Sequence, residues 1–263
     1  IAGMEPRELR ERWLSPLTRG ERSACLARAI GTIEARKDGP GWILSGSAPL
    51  ADCDERVDAI VVLARREESS LAAFLVEGGA RGLSFGEARE TLGARGLPLR
   101  DLRFDGVRAH GGSSPGLATL ALARTADAAT ALGLAQAAFE AALRYSQQRS
   151  AFGVPICQHQ AIQLKLADMA TRITAGRLLT YRAAERLDAD VGDDAGSIMA
   201  RLDTADTAYA VTLEAMRIHG GYGYTREFQV ERYYRDASRF VTARADMELD
   251  RRQLASRLGG RSA

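Results

Sequence analysis

Lysine is nearly missing from this sequence: Lys37 and Lys165 are the only two in 263 residues, and arginine supplies the rest of the positive charge. With 36 basic against 34 acidic residues the net charge is +2. That balance argues against general electrostatic recognition of nucleic acid or of an anionic membrane surface. Cysteine is scarce as well. Cys25, Cys53 and Cys157 are odd in number, far apart in sequence, and in neither a CxxC nor a Cys/His ligand spacing. A disulfide framework and a zinc site are therefore both disfavoured. No apolar run approaches the ~20 residues of a membrane-spanning helix, and the first residues lack a basic-plus-apolar signal pattern, so the expected location is cytoplasmic. What remains is an ordinary globular composition, 46% hydrophobic and 27% charged, on a chain long enough for one large domain or two ordinary ones.

The two halves differ in period. Between about residues 32 and 110, glycines punctuate short apolar runs at 41–44, 59–63, 71–76, 83–85 and 99–107. In the last of these Leu102, Phe104 and Gly106 alternate with Arg103, Asp105 and Val107, which predicts antiparallel strands. The stretch 111–116, rich in glycine and serine, reads as a loop. Beyond it the period becomes 3.6: Ile162, Leu166, Met169 and Ile173 share one helix face, and Ile198, Leu202, Ala205 and Tyr209 repeat the spacing. Helices are predicted at about 117–148, 157–189 and 195–218, with one or two shorter pieces from 227 to 258. Helices of that length joined by short loops predict an antiparallel four-helix bundle, with Leu166, Met169, Ile173, Leu202 and Tyr209 buried. The expected fold class is α+β: an N-terminal remnant helix or linker at 1–27, a small antiparallel β domain, barrel- or sandwich-like, at 28–112, and the bundle at 113–263.

Two runs stand out chemically. Arg149, Phe152, Gln158, His159 and Gln160 crowd an arginine, an aromatic and two amides into one helix–helix connection. Such a set suits gripping a phosphate and contacting a ring system, although an exposed polar corner is the plainer reading of these residues alone. His219, Gly220, Gly221, Tyr222, Gly223 and Tyr224 also sit at a helix end, where glycines let a ligand approach the backbone or simply cap the helix. His219 and His110 have the pKa range of a neutral-pH switch, but a helix end and a loop suggest structural or exposed roles. The acidic run Asp188, Asp190, Asp193 and Asp194 reads as a solvated turn.

Taken in order and spacing, the 149–160 run, Leu166 to Met169, the 219–224 run with Glu227, and Val230, Glu231, Arg232, Arg235, Asp236 and Ala237 resemble the C-terminal domain of the acyl-CoA dehydrogenases. Leu92, Gly93, Arg95, Gly96, Leu102, Phe104 and Val107, with 73–76, are similar to that family's middle β domain. The resemblance implies a flavoprotein built from an N-terminal helical domain, a β domain and a helical bundle, assembled as dimers or tetramers. It further implies that FAD removes two hydrogens from an acyl thioester, a glutamate taking the α proton and the flavin the β hydride.

The departures from that pattern set the functional expectation. The N-terminal helical domain has no counterpart in this chain. The flavin loop expected after Ala24 to Ala27 is missing, the sequence running straight into Arg28, Ala29, Ile30 and Gly31. Leu50 and Asp52 stand where the family has a flavin-covering aromatic and a hydroxyl, and a carboxylate there would oppose the charge of a reduced flavin. Arg244 matches the usual catalytic glutamate, and an arginine stays protonated and cannot act as the base. The alternative base position, one residue before Arg124, is Ala123. Arg124 itself matches a substrate-binding position. Asp127 and Asp52 are the remaining candidates for a relocated base, although an ion pair with Arg124 is the plainer role for Asp127.

What the resemblance retains points elsewhere. Residues matched by Arg149, Phe152, Gln160, Gly220 and Gly221 reach across a subunit interface to FAD held mainly by the neighbour. Arg217 replaces the family's usual glutamine and either pairs with a pyrophosphate or is solvated. The expectation is a degenerate subunit completing the FAD site of a full-length acyl-CoA dehydrogenase, as a homo- or hetero-oligomer through the bundle, with no nucleic acid, metal or membrane span. Two alternatives are a flavin-independent enzyme performing redox-neutral chemistry on an acyl thioester, carried by CoA or a carrier protein, and an FAD-dependent dehydrogenase with a relocated base.

Overall fold

A computed structural model describes residues 7–28, 32–66, 70–189, 194–242 and 244–259. It divides into two compact units, one comprising the chain up to Thr91 together with Arg95–Leu120, the other Leu92–Ala94 together with the chain from Ala121 onward.

The first unit holds a helix, α1 (Arg7–Thr18), and seven strands: β1 (Ala24–Ala27), β2 (Ile33–Asp38), β3 (Gly41–Asp52), β4 (Ala59–Arg66), β5 (Leu71–Glu77), β6 (Leu83–Phe85) and β7 (Leu99–Pro115). The sheet order is β1-β4-β2-β3-β7-β5, and a further β4–β5 pairing closes it on itself, with β6 added to β7. Closure covers the edges of the strands in the ring, while β1 and β6 each pair with one strand among the described residues. Most pairings are antiparallel, as the alternation predicts, but β1 and β2 both run parallel to β4. The short runs that form β1 and β2 carry too little period-two signal to be read from sequence.

β4 is buried along its first six residues, which its unbroken apolar run requires. Ile60, Val62 and Ala64 face the core shared with Leu44, Phe74, Leu102 and Phe104. Ala59, Val61 and Leu63 face the other way, against Trp13 of α1 and Leu120. The 111–116 stretch, predicted as a loop, is instead the end of β7, pairing Gly111 with Phe74 and Pro115 with Ala72, followed by Gly116 as the first residue of the next helix. Glycine serves packing here: a Cβ on Gly112, whose φ is +87°, would lie 2.6 Å from the Phe74 ring and 2.7 Å from the Trp42 indole nitrogen. His110, expected in a loop, is an exposed residue of the same strand.

The helical unit comprises α2 (Gly116–Gln148), whose first turn counts with the β unit, a two-strand hairpin of β8 (Ser150–Ala151) and β9 (Val154–Pro155), then α3 (Gln160–Asp188), α4 (Asp194–His219), α5 (Val230–Thr242) and α6 (Arg244–Leu258). Its core sets Ala131, Ala135, Ala138 and Ala142 of α2 against Met169 and Ile173 of α3 and Ala208, Val211 and Ala215 of α4. Small residues at these positions let the helix backbones approach closely. The fold class is thus the expected α+β, a β domain followed by a helical domain.

Met169 and Ile173 are buried as predicted, whereas Leu166, Leu202 and Tyr209 are half-buried. The cause is the position of α4. It is buried on several sides, through Ile198, Ala200, Arg201, Thr204, Ala205, Thr207, Ala208 and Thr212, so no single stripe defines its inner face.

Candidate functional site

The α2–α3 connection is a tight hairpin. Phe152 and Gly153 occupy its two turn positions with φ of +55° and +84°, the pattern of a type I′ turn. Glycine tolerates that geometry, while a bulky residue in the left-handed region is strained by about 1–2 kcal/mol. The turn holds the Phe152 ring out in solvent at 98% exposure, with only an edge contact to His159 at 6.0 Å between centroids. The hairpin is anchored from behind: the Ile156 amide donates to Arg149 O (2.8 Å), and the His159 Nε2–H donates to Ala151 O (3.2 Å).

Facing this hairpin, α4 ends in a 3-10 turn, Gly220–Tyr224. Gly223 is required by contact, since a Cβ there would lie 2.4 Å from Met216 O. Gly220, with φ of +60°, and Gly221 have open space where a Cβ would stand.

Between the two turns lies a pocket of about 450 Å³. Arg149, Gly220, Gly221 and Thr225 give it polar character, and Tyr145, Ile156, Ile218, His219 and Tyr222 an apolar lining. The structure therefore brings together Arg149, Gly220 and Gly221 from the sequence candidates. Phe152 and Gln160 are exposed nearby without lining the pocket. Arg217 is exposed and pairs with Glu214, which also takes Lys165. Sequence reasoning missed the aromatic floor: Tyr145 stacks on His219 at 4.2 Å and 22°, and Phe228 meets Tyr145, His219 and Tyr222 edge-on. Phe228 sits nine residues beyond His219 and Tyr145 seventy-four before it, so only the tertiary fold makes this cluster visible.

His219 is buried, with Nδ1 2.8 Å from Ala215 O, and burial holds its imidazole below the ordinary 6.5. Its folded pKa lies under the unfolded one, so the unfolded chain binds the proton more readily. Stability is complete above about pH 6.5 and is lost as pH falls through that value toward the folded pKa. Urea unfolding midpoints from pH 7.5 to 5.5 should fall less steeply in His219→Phe than in the wild type; identical slopes would remove this histidine from the acid response.

The remaining candidates sit elsewhere. Arg124 is 1% exposed, its guanidinium donating to Asp194 (2.7 Å), Gln253 (2.6 Å) and Asp250. Asp127 pairs with Arg201 of α4 at 3.3 Å, and Arg201 also meets Asp250. Asp194, expected in a solvated turn, is instead buried at 5%, held by Arg124 and by Arg257 at 2.9 Å. The run it belongs to splits by environment: Asp188 is exposed, while Asp190 and Asp193 lie outside the described residues. Asp52 ends β3 half-buried, and Leu50 is exposed with φ of +54°, its amide donating to Asp101 Oδ1 (3.0 Å). Arg244 opens α6, its side chain outside the described part, as are Ala29, Ile30 and Gly31. Among the described residues no group of three metal-ligating side chains occurs, and no helix is long and apolar enough to cross a membrane.

Two motifs that lie far apart in sequence meet in the helical unit. The Ala94 amide donates to Asp236 Oδ1 (2.7 Å), and Arg235 Nη1 donates to Leu92 O (2.9 Å) while pairing with Glu231. Gly93 fits because a Cβ there would come within 2.2 Å of Arg235 O.

Comparison with known proteins agrees with this geometry. The family profile described as "Acyl-CoA dehydrogenase, C-terminal domain" matches residues 111–259. A short-chain specific acyl-CoA dehydrogenase of Bos taurus mitochondria is 37% identical over 88% of this chain and 61% of its own length. A 3-(aryl)acrylate reductase of Clostridium sporogenes is 33% identical over 95% of this chain and 72% of its own. The solved structure of the Tcur3481-Tcur3483 steroid ACAD G363A variant superposes with a TM-score of 0.90 at 27% identity, covering 99% of this chain and 73% of that one. The chain thus spans about two thirds of the length of the curated relatives it matches. With the profile over its helical half, this identity over nearly its whole length and the same fold, the chain belongs to the acyl-CoA dehydrogenase family of FAD-using flavoproteins.

Proposed function

We propose that this chain completes the FAD site of a full-length acyl-CoA dehydrogenase partner across a subunit interface and carries no complete catalytic centre of its own. One observation carries the reading: Arg149, Gly220 and Gly221 share a pocket; the resemblance adds the expectation that Arg244 stands in place of the usual catalytic base. The pocket's residues fit the phosphate and adenosine end of a dinucleotide. The Arg149 guanidinium has no partner among the described residues, the two glycines leave their backbone open to approach, and the floor is flat and aromatic. Bound FAD supplies the hydride acceptor of the reaction. This chain's contribution is to hold its charged end, Arg149 meeting the negative charge and the 220–221 turn offering backbone contacts.

Phe152 supports a second chain at this place. A strained turn that projects an aromatic ring into solvent combines two unfavourable terms, and cover by a partner offsets the exposure.

The test is to express the tagged chain with its genomic neighbours and alone. We expect a full-length dehydrogenase to co-purify with bound flavin, and the lone chain to be colourless and inactive in dye-linked acyl-CoA oxidation. A lone homo-oligomer with stoichiometric FAD and dye-linked activity would overturn the proposal. A colourless chain that turns over an acyl thioester without flavin would replace it with redox-neutral thioester chemistry.

A further inference from the structure

His219 is the one pocket residue whose chemistry the family reading leaves without a use. The residue is 3% exposed, and its ring is fixed on three sides: stacked on Tyr145 at 4.2 Å, edge-on to Phe228 at 5.3 Å, and hydrogen-bonded through Nδ1 to Ala215 O at 2.8 Å. A carbonyl oxygen only accepts, so Nδ1 carries the proton. In the neutral ring, which burial favours, Nε2 then holds a lone pair. Nε2 has no hydrogen-bond partner among the described residues, yet it is not among the sealed polar atoms of the interior. The opening it meets is the pocket its residue lines.

A buried acceptor with a fixed direction selects its ligand. A group that donates a hydrogen bond to Nε2 is favoured, and one that presents a lone pair is rejected, because the desolvated nitrogen would face like charge. The neighbours narrow the class. Tyr145, Ile218 and Tyr222 suit a flat ring, and Arg149 suits an attached phosphate. We propose that His219 is a specificity-determining residue whose Nε2 accepts a hydrogen bond from the exocyclic amine of an adenine ring seated in this pocket. The inference rests on the reading of the pocket as a nucleotide site and adds the residue and atom that recognise the base. FAD and coenzyme A both carry an adenosine diphosphate end, and the shared chemistry is that end.

The experiment uses the full chain and ADP as the probe, titrated to about 10 mM, with IDP, whose 6-oxo group replaces the amine, as the counter-probe. We expect ADP to bind roughly tenfold more tightly than IDP, the size of one hydrogen bond of about 1.4 kcal/mol. The Nε2 nitrogen resonance of His219 should move upfield with ADP, while His110 and His159 stay still. In His219→Phe, which keeps an aromatic on Tyr145, the ADP preference should disappear. If that variant fails to fold, the wild-type ADP/IDP ratio and the Nε2 shift decide alone. Equal binding of ADP and IDP by the wild type, or an unmoved Nε2 resonance, would overturn the role of His219 while leaving the nucleotide site standing. No perturbation of Tyr145 and Arg149 signals by ADP would overturn both. Repeating the titration with FAD and with coenzyme A separates the sources: the ADP pattern with FAD agrees with the functional proposal. The same pattern with coenzyme A alone would keep the His219 contact and discard the flavin reading.

Discussion

Replacing Asp250 by alanine is expected to destabilise the helical unit by about 3–5 kcal/mol, as a loss from a buried ion pair does. Asp250 is 2% exposed, and its two carboxylate oxygens accept from Arg124 of α2 and Arg201 of α4. Alanine would leave two buried guanidiniums short of charge at once. Arg124 has no slack to absorb this, since its Nε is already buried without a partner. The loss falls on α6. Among that helix's described side chains Met247 is the only buried apolar one, and its other anchors include Asp250, Gln253 to Arg124, Arg257 to Asp194 and the looser Asp246 to Arg201 at 3.8 Å. α6 is thus docked by charge more than by an apolar face. Calorimetry should show the transition falling by about 10 °C, and amide exchange should show α6 losing protection before α3. Asp250→Asn, which keeps shape and one acceptor, should cost less. A change under 1 kcal/mol for the alanine variant would mean that water or a shifted Asp246 replaces the carboxylate. Exchanging the whole cluster for well-packed apolar residues is a different experiment and is expected to be far milder, because both signs of buried charge then disappear together.

This network marks the border of what the sequence makes legible. The strands β4 and β5 follow from short apolar runs, the core of β7 from alternation and α3 from its 3.6-residue stripe, while α4, buried on several sides, is legible as a helix and its inner face is not. The Arg149 and 220–221 turns were visible as unusual local composition, and their meeting in one pocket is a tertiary fact. Asp194 and Arg124 are seventy residues apart, and Asp250 a further fifty-six along, so nothing in local pattern pairs them. A carboxylate in a glycine-rich turn reads as solvated until the helices around it are placed. Gly112 misleads in the opposite way. It looks like a loop residue, and its use is to let a strand pass between the Phe74 and Trp42 rings. His219 is legible as a histidine and not as an acceptor, since its tautomer is set by Ala215 O and its orientation by Tyr145.

Arg149→Ala should weaken flavin retention by the assembled complex about 10- to 100-fold, the range of one charge-assisted hydrogen bond to a phosphate. The side chain is exposed and without a protein partner among the described residues, so the chain's own unfolding midpoint should move by no more than about 0.5 kcal/mol. That separation of binding from stability distinguishes a ligand contact from a structural one. Arg217→Ala is the matched control. It removes the same charge, from the last turn of α4 rather than from the α2–α3 hairpin, but its guanidinium is engaged by Glu214, so retention should fall less than threefold. The measurement is FAD release from the co-purified complex, followed by flavin fluorescence during dilution. The lone chain should bind FAD weakly, since half a site forfeits most contacts and still meets the entropic cost of association. Equal losses for the two arginines would reduce Arg149 to a general field effect, and tight FAD binding by the lone chain with Arg149 removed would place the flavin somewhere other than the pocket between α2 and the end of α4.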